Sequence, residues 1–333
     1  MVEQYIRDDF QGCISIRKGG DVIYAKSFGY ADLANQRANE LDTKFATASA
    51  GKVFVGVGIL QLIEKGLLKM EDTIGELLPF ALEQIDPKIT IRQLLTHTSG
   101  IPDYFDESIM EEYEELWRDY PNYKIRNSQA LLPLFLHKSM MYEKGTKFQY
   151  NNTGYVVLGL IIESVTKKEF DDYLKENIFD VCKMSGTGYY ELDRLPAKCA
   201  NNYIFDEIRQ GYYTNIYSVD VKGTGAGGAF TTVGDVECFW KGLLSYQLLS
   251  KEMTEEMLSI QASESEDENY GYGIWLKKEI GENLLPYFTG SDPGVSFISA
   301  YHRKEELSIT IVSNFGNNVW EMLRNIRKHL WKE

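Results

Sequence analysis

Hydrophobic and polar residues alternate near both ends of the chain, as they do in β-strands that bury one face. At the amino end, residues 12–18 and 21–30 alternate on either side of Gly19 and Gly20, which predicts a β-hairpin. Four further strands are predicted toward the carboxyl end, at residues 270–276, 284–290, 295–302 and 307–314. Residues 318–331 have the spacing of an amphipathic helix.

Between these two regions the apolar positions follow the period of helices. Apolar residues between positions 53 and 63 recur every three or four residues, and Gly66 supplies the cap at the carboxyl end. Short helices and loops are predicted further along, at residues 90–97, 107–117, 129–137, 153–167 and from residue 232 onward. Strands at both ends around a helical middle predict an α+β fold.

In this predicted fold, one antiparallel sheet is built from both chain ends and flanked by helices, with a mostly helical region inserted between them. We assign residues 1–70 and 230–333 to the sheet domain and residues 71–229 to the helical region. A length of 333 residues suits two domains, or one large domain that carries an insertion.

The net charge of the chain bears on which classes of molecule it can bind. The chain has 35 Lys and Arg against 49 Asp and Glu, a net charge of −14, which argues against nucleic acid as a partner because phosphate binding requires a basic face. No apolar run reaches the roughly 18 residues of a membrane span. The first residues show no basic segment followed by an apolar one. We therefore expect a cytoplasmic protein, or an extracellular one if a signal peptide has been removed. The sequence leaves the oligomeric state open.

Cysteine and histidine spacing predicts no cofactor or metal ion. The cysteines are widely separated and include no C-x-x-C pair; they are Cys13, Cys182, Cys199 and Cys238. This spacing indicates neither a zinc site nor a disulfide framework. The histidines show no metal-ligand spacing either, and we expect His97 to hold a loop in place.

The strongest candidate for chemistry is a serine and a lysine three residues apart. Ser49 and Lys52 lie in the first turn of the predicted helix, where positions i and i+3 share a face. A lysine can take a serine's proton only as the free amine, so its pKa must fall from about 10.4. The same S-x-x-K pattern occurs at residues 15–18, on a strand, and at residues 164–167, at a helix end. On this pattern alone, the alternative is a helix-capping serine and a solvated lysine.

Six further segments are distinctive in sequence and in order: FATASAGKVF (45–54), ILQLIEKGLL (59–68), LLTHTSGIP (94–102), FQYNNTGY (148–155), GAGGAFTTVGD (225–235) and YGYGIW (270–275). Together they resemble segments that occur in the same order in the serine β-lactamase and penicillin-binding-protein superfamily, in particular in class C β-lactamase-like members with esterase and D-peptidase relatives. The resemblance covers residues 10–314, almost the whole chain.

The resemblance implies a role for each matching residue. Ser49 would be the nucleophile and Lys52 its activating partner. Tyr150 would share the proton transfers, with a pKa lowered by the neighbouring ammonium group. Asn152 would hold the Lys52 amine and contact a substrate carbonyl. From the residues alone, the alternatives are a half-buried aromatic at Tyr150 and a helix cap at Asn152.

The third motif departs from the superfamily. Members usually carry Lys-Thr-Gly or His-x-Gly on a strand beside the site, whereas this chain has Phe288, Thr289, Gly290 and Ser291. Gly290 lets a substrate backbone approach the strand, and the resemblance implies an oxyanion hole formed by the N–H groups of Ser49 and Ser291. Phe288 would remove the cation or imidazole that anchors a substrate carboxylate, which disfavours β-lactams and favours uncharged or cationic esters and amides.

We therefore expect a serine hydrolase that forms an acyl-enzyme on Ser49 and acts on small esters or on D-amino-acid amides and peptides. One alternative is a penicillin-binding protein or β-lactamase. Another is a non-catalytic binding protein on the same scaffold, which would follow if Phe288 marks a degenerate site. The acidic and aromatic residues at 103–117, with Tyr104, raise the hypothesis that substrates carry a free amine; a solvated helix face is the alternative.

Overall fold

One antiparallel sheet joins the two ends of the chain. The computed structural model describes residues 2–279 and 283–330. Its strands are β1 (Gly12–Lys18), β2 (Asp21–Phe28), β3 (Tyr30–Asp32), β4 (Arg37–Ala38), β5 (Phe45–Ala46), β6 (Tyr203–Asp206), β7 (Gly211–Thr214), β8 (Phe230–Thr231), β9 (Ala262–Ser263), β10 (Glu268–Tyr270), β11 (Trp275–Lys278), β12 (Leu284–Asp292), β13 (Val295–His302) and β14 (Leu307–Ser313). Eight of these form the main sheet, in the order β2-β1-β14-β13-β12-β11-β10-β9. The predicted α+β fold is confirmed.

Helices cover both faces of this sheet. The α-helices are α1 (Lys52–Glu64), α2 (Ile74–Leu77), α3 (Ile91–Leu95), α4 (Asn152–Thr166), α5 (Phe170–Leu174), α6 (Val233–Leu244), α7 (Lys251–Met257) and α8 (Val319–Leu330). Shorter 3-10 helices span Val2–Tyr5, Ala48–Gly51, Tyr113–Trp117, Asn122–Lys124, Ser128–Leu134, Leu192–Arg194 and Asn215–Tyr217, and a π-helical turn spans Lys175–Phe179. Residue 331, the last of the predicted closing helix, lies outside the described residues.

Side chains of the central strands alternate between two hydrophobic cores. Ile309 and Ile311 of β14 pack with α8 in one core, whereas Val312 faces the larger core that contains α1 and α6. The larger core also includes residues of the inserted helical region, such as Leu131. The division into two domains at positions 70 and 230 stays a prediction.

The single strand predicted at residues 270–276 is wrong, because the chain reverses within it. β10 ends at Tyr270, β11 begins at Trp275, and these two residues pair with each other. Gly273 lies in the connecting turn with φ +81°, a left-handed conformation that glycine adopts without a steric penalty. The acidic stretch at 107–117 is also mostly irregular, with a 3-10 helix only at Tyr113–Trp117.

Two buried helices provide the framework for the candidate site. α1 is buried from Lys52 to Leu62 and ends just before Gly66, whose φ of +70° fits the predicted cap. α4 packs against α1 and is buried over its first eleven residues. Nowhere in the described ranges does a helix have the length and apolar character needed to cross a membrane.

Candidate active site

Ser49 lies in a tight turn immediately before α1. The turn is the 3-10 helix Ala48–Gly51, and Ala48 has a left-handed φ of +46°. The glycine-rich loop packs directly on this turn: Gly228 N–H donates to the Ala48 carbonyl oxygen at 3.0 Å. A Cβ on Gly227 would lie 2.4 Å from the same oxygen, so only glycine fits there. The loop thereby fixes the backbone that carries Ser49.

The Lys52 amine is directed at Ser49 from within the core. Its Nζ hydrogen-bonds with Ser49 Oγ at 2.9 Å and donates to Asn152 Oδ1 at 2.8 Å and to the Ala226 carbonyl oxygen at 2.5 Å. Lys52 has only 2% of its surface exposed. The structure thus brings together three residues that the sequence analysis proposed, Ser49, Lys52 and Asn152.

Burial changes the protonation of this lysine. Desolvation lowers the pKa of Lys52 to about 8, because the charged ammonium form is disfavoured away from water. Three nearby carboxylates oppose this effect and raise the pKa of Lys52: those of Glu107, Asp103 and Asp292. Roughly a tenth of Lys52 is therefore the free amine at pH 7, and the lone pair of that form can accept the Ser49 hydroxyl proton.

Tyr150 contacts both Ser49 and Lys52. Its hydroxyl hydrogen-bonds with Ser49, and its ring centroid is 4.9 Å from Lys52 Nζ. The expectation that the ammonium group lowers the pKa of Tyr150 is wrong: desolvation, followed by the neighbouring Tyr270, raises it well above the ordinary value of 10. Tyr150 is therefore a neutral phenol across the physiological pH range, able to donate or relay a proton.

The amino end of α4 is held by two buried polar side chains. The Asp103 carboxylate accepts from the N–H groups of Asn152 at 2.7 Å and Thr153 at 3.1 Å. His97 Nδ1 accepts from Asn151 N–H at 3.1 Å, so this histidine does hold a loop, as predicted. Asn151, and not Asn152, caps the helix. The Asn152 side chain is thereby free to bond with the lysine.

Strand β12 presents an unpaired edge beside Ser49. Its pairing with β11 ends at Tyr287, which pairs with Trp275, while its pairing with β13 continues to residue 292. Gly290 lies directly against the Ser49 turn, and a Cβ there would be 2.6 Å from the Ser49 backbone nitrogen. Ser291 follows on the same free edge. The backbone N–H groups of this edge and of the Ser49 turn are therefore available to a bound carbonyl oxygen.

Phe288 does not contribute to this edge in the way the sequence suggested. Its side chain is buried among the rings of Phe239, Trp240 and Phe297, with centroid distances of 5.1–5.9 Å. Side chains alternate along a strand, and here Tyr287 and Thr289 line the cleft while Phe288 belongs to the core. The assignment of Phe288 to the substrate-binding residues is corrected accordingly.

The cleft around Ser49 is large and acidic. It has a volume of about 1160 Å³ and includes Tyr150, Asn152, Thr289, Gly290 and Ser291 in its walls. Its lining carboxylates come from separate segments: Glu107, Glu111, Glu112, Glu114, Asp220, Glu264 and Asp292. Within the described ranges, no three His, Cys, Asp or Glu side chains are placed to hold a metal ion together.

Comparison with known proteins identifies the family of the chain. The family model described as Beta-lactamase matches residues 3–329. The chain belongs to the β-lactamase family. Membership accounts for the order of the motifs along the sequence, from the Ser49 segment through FQYNNTGY to the strand that carries Gly290.

Similar members of the β-lactamase family include penicillin-binding proteins. The chain is 35% identical to a penicillin-binding protein from Bacillus halodurans, with a TM-score of 0.94 and coverage of 99% of this chain and 100% of that one. It is 28% identical to penicillin-binding protein 4* of Bacillus subtilis, over 92% of this chain and 69% of the relative. It is 23% identical to the teichoic acid D-alanine hydrolase of Staphylococcus aureus, over 95% and 74% of the two chains.

Several cleft residues of this β-lactamase family member were not found from its sequence. Asp220, Glu264 and Asp292 are far apart in the chain and come together only in the folded cleft. Asp292 alone had a usable signal, since it directly follows Ser291 in the third motif. Trp275 closes the motif YGYGIW without having been assigned to the cleft, and Tyr287 had no signal.

Proposed function

We propose that the protein is a serine hydrolase that forms an acyl-enzyme on Ser49, with small esters and D-amino-acid amides or peptides as substrates. The observation that carries this proposal is the contact between Ser49 Oγ and Lys52 Nζ at 2.9 Å, in an environment that lowers the lysine pKa to about 8. A serine hydroxyl is a weak nucleophile until a neighbouring base takes its proton. A buried amine in contact with that hydroxyl meets this requirement.

In the proposed reaction, neutral Lys52 takes the hydroxyl proton as Ser49 Oγ attacks the substrate carbonyl carbon. The N–H groups of Ser49 and Ser291 bind the oxyanion, and each such donor contributes roughly 3–4 kcal/mol of transition-state stabilisation. Tyr150 relays a proton to the leaving alcohol or amine as the bond to it breaks. Water then attacks the ester on Ser49. The water gives up a proton as it attacks, Ser49 Oγ takes up a proton as it leaves, and the acid is released.

Two observations favour this substrate class over β-lactams. Within the described ranges, no Lys, Arg or His side chain lines the cleft, so the walls offer no positively charged group to bind a substrate carboxylate. A relative of the chain is a teichoic acid D-alanine hydrolase. Penicillin-binding relatives support the alternative of a penicillin-reactive protein, and acylation by penicillin is the measurement that separates the two.

The test is a p-nitrophenyl acetate burst combined with intact-mass detection. We expect about one equivalent of p-nitrophenol per protein, one acetyl group on the wild type, and neither on Ser49→Ala. Ser164→Ala is the matched control, because Ser164 belongs to another S-x-x-K match and bonds the Leu77 carbonyl oxygen instead; it should retain the burst. A burst of equal size in Ser49→Ala, or no acyl adduct on the wild type, would overturn the proposal.

A further inference from the structure

Every charged side chain that the described residues contribute to the cleft wall is acidic. Of the described residues that line it, seven are Asp or Glu and none is Lys, Arg or His. Lys52 is the cation at Ser49, but it lies behind the serine, and its amine is occupied by Ser49, Asn152 and Ala226. A substrate group that enters the cleft therefore meets a negative potential that no wall cation offsets.

Asp292 is the carboxylate best placed to contact a substrate beside Ser49. It directly follows Ser291 at the end of β12, where the chain lines the cleft. Among the described residues, this carboxylate has no hydrogen-bond or ion-pair partner. Asp292 is half-buried, and a partly desolvated carboxylate without a hydrogen-bond partner is unfavourable, a cost that a bound cation relieves.

Asp220 lines the same cleft as Asp292, and the Asp292 charge acts on it. Burial and repulsion by Asp292 raise the pKa of Asp220 to about 7, and burial raises that of Asp292 to about 7 although the Lys52 charge lowers it. Among the described residues, one side chain hydrogen-bonds to the Asp220 carboxylate: the hydroxyl of Tyr113 donates to it at 3.2 Å. Two carboxylates in one cleft wall, with a neutral hydroxyl donating to one of them, form a receptor for positive charge.

We propose that Asp292 and Asp220 bind the ammonium group of the substrate, so that the enzyme selects aminoacyl esters or amides with a free amine. This inference rests on the proposed function and adds the chemical class of the acyl group. In an α-aminoacyl group the nitrogen is two bonds from the carbonyl carbon. A subsite for it must therefore adjoin the oxyanion-binding edge, which is where Asp292 lies. Substrates with a free carboxylate are repelled by the same groups.

The kinetic test compares three p-nitroanilides of D-alanine that differ only at the amine: free, N-acetylated and N-succinylated. We expect kcat/KM to fall in that order, from cation to neutral to anion. Asp292→Asn should lower kcat/KM for the free amine by about 10- to 100-fold relative to the N-acetyl substrate, the range expected for a lost charge-assisted hydrogen bond. Asp21→Asn, which removes one exposed charge on β2, is the control and should preserve the ratio.

A binding measurement keeps the inference testable without turnover. By calorimetry, Ser49→Ala protein should bind D-alaninamide at least about tenfold more tightly than N-acetyl-D-alaninamide, and adding Asp292→Asn should remove the difference. Equal affinities, no saturable binding of D-alaninamide, or an unchanged ratio in Asp292→Asn would overturn the inference. Normal acetylation of Ser49 with any of these results would leave the hydrolase assignment intact, so the two failures are distinguishable.

Discussion

Replacing Gly290 by alanine tests how the strand edge positions the oxyanion donors. The added methyl carbon would lie 2.3 Å from the Thr47 carbonyl oxygen, 2.6 Å from Ser49 N and 2.7 Å from Ala50 N. All three atoms belong to the backbone of the turn that carries the nucleophile, so no side chain can rotate away. Ordinary contacts between heavy atoms are about 3.5 Å, so the strand must move back by about 1 Å.

A displacement of this size separates the Ser291 N–H from a carbonyl bonded to Ser49. Misplacing a reacting group by about 1 Å costs on the order of 100-fold in rate, and overpacking costs about 1–3 kcal/mol of stability. We therefore expect Gly290→Ala to acylate on the order of 100-fold more slowly with p-nitrophenyl acetate in stopped flow. Urea unfolding should show a folded protein with a modestly lower midpoint.

Gly234→Ala is the matched control for this substitution. The glycine lies in α6, and the nearest atom to its added methyl would be Thr232 Oγ1 at 3.7 Å. Alanine in a helix is favoured over glycine by up to about 1 kcal/mol, so this variant should acylate normally and unfold no earlier than the wild type. If Gly290→Ala acylated at the wild-type rate, the close packing of β12 on the Ser49 turn would have no part in catalysis.

Three further predictions concern side chains around Ser49. His97→Asn should keep an acceptor for Asn151 N–H and tolerate the left-handed backbone at this position. His97→Leu leaves that N–H without an acceptor and should lower kcat by roughly tenfold or more. Equal kcat values for the two variants would contradict this. Phe288→His should lower the urea midpoint without creating reactivity toward penicillin, because the side chain faces the core; acylation by penicillin in this variant would refute the corrected orientation. Tyr150→Phe should slow acylation and leave its pH midpoint in place, since the pKa of Tyr150 lies well above 10; a shifted midpoint in stopped flow would argue that the phenol titrates.

Much of the sheet could be predicted because its pattern is local. The hairpin of β1 and β2 is marked by period-two alternation around a glycine pair, and both strands begin where the pattern begins. The strand predicted at 270–276 failed for a local reason as well, since the same alternation of aromatic residues and glycine accommodates a turn at Gly273. Alternation alone does not show where the chain reverses.

Residues of the site could be predicted only where they lie in motifs that follow one another in a recognisable order along the chain. Ser49, Lys52 and Asn152 come together as expected because each lies in a motif with a recognisable neighbourhood. The direction in which Phe288 faces depends on the register of β12, and a shift of one residue exchanges the two faces of a strand. The acidic walls depend on loops that meet only after folding, so Asp220 and Asp292 had no shared sequence signal.

The most direct test of Lys52 as the base is the pH dependence of Ser49 acylation, measured by stopped flow with p-nitrophenyl acetate from pH 6 to 9.5. With a pKa of about 8, roughly a tenth of Lys52 is the free amine at pH 7 and about nine tenths at pH 9. The acylation rate constant should therefore rise about tenfold per pH unit below pH 7 and level off above pH 9. A rate constant that stays flat across this range, or falls as the pH rises, would contradict the account.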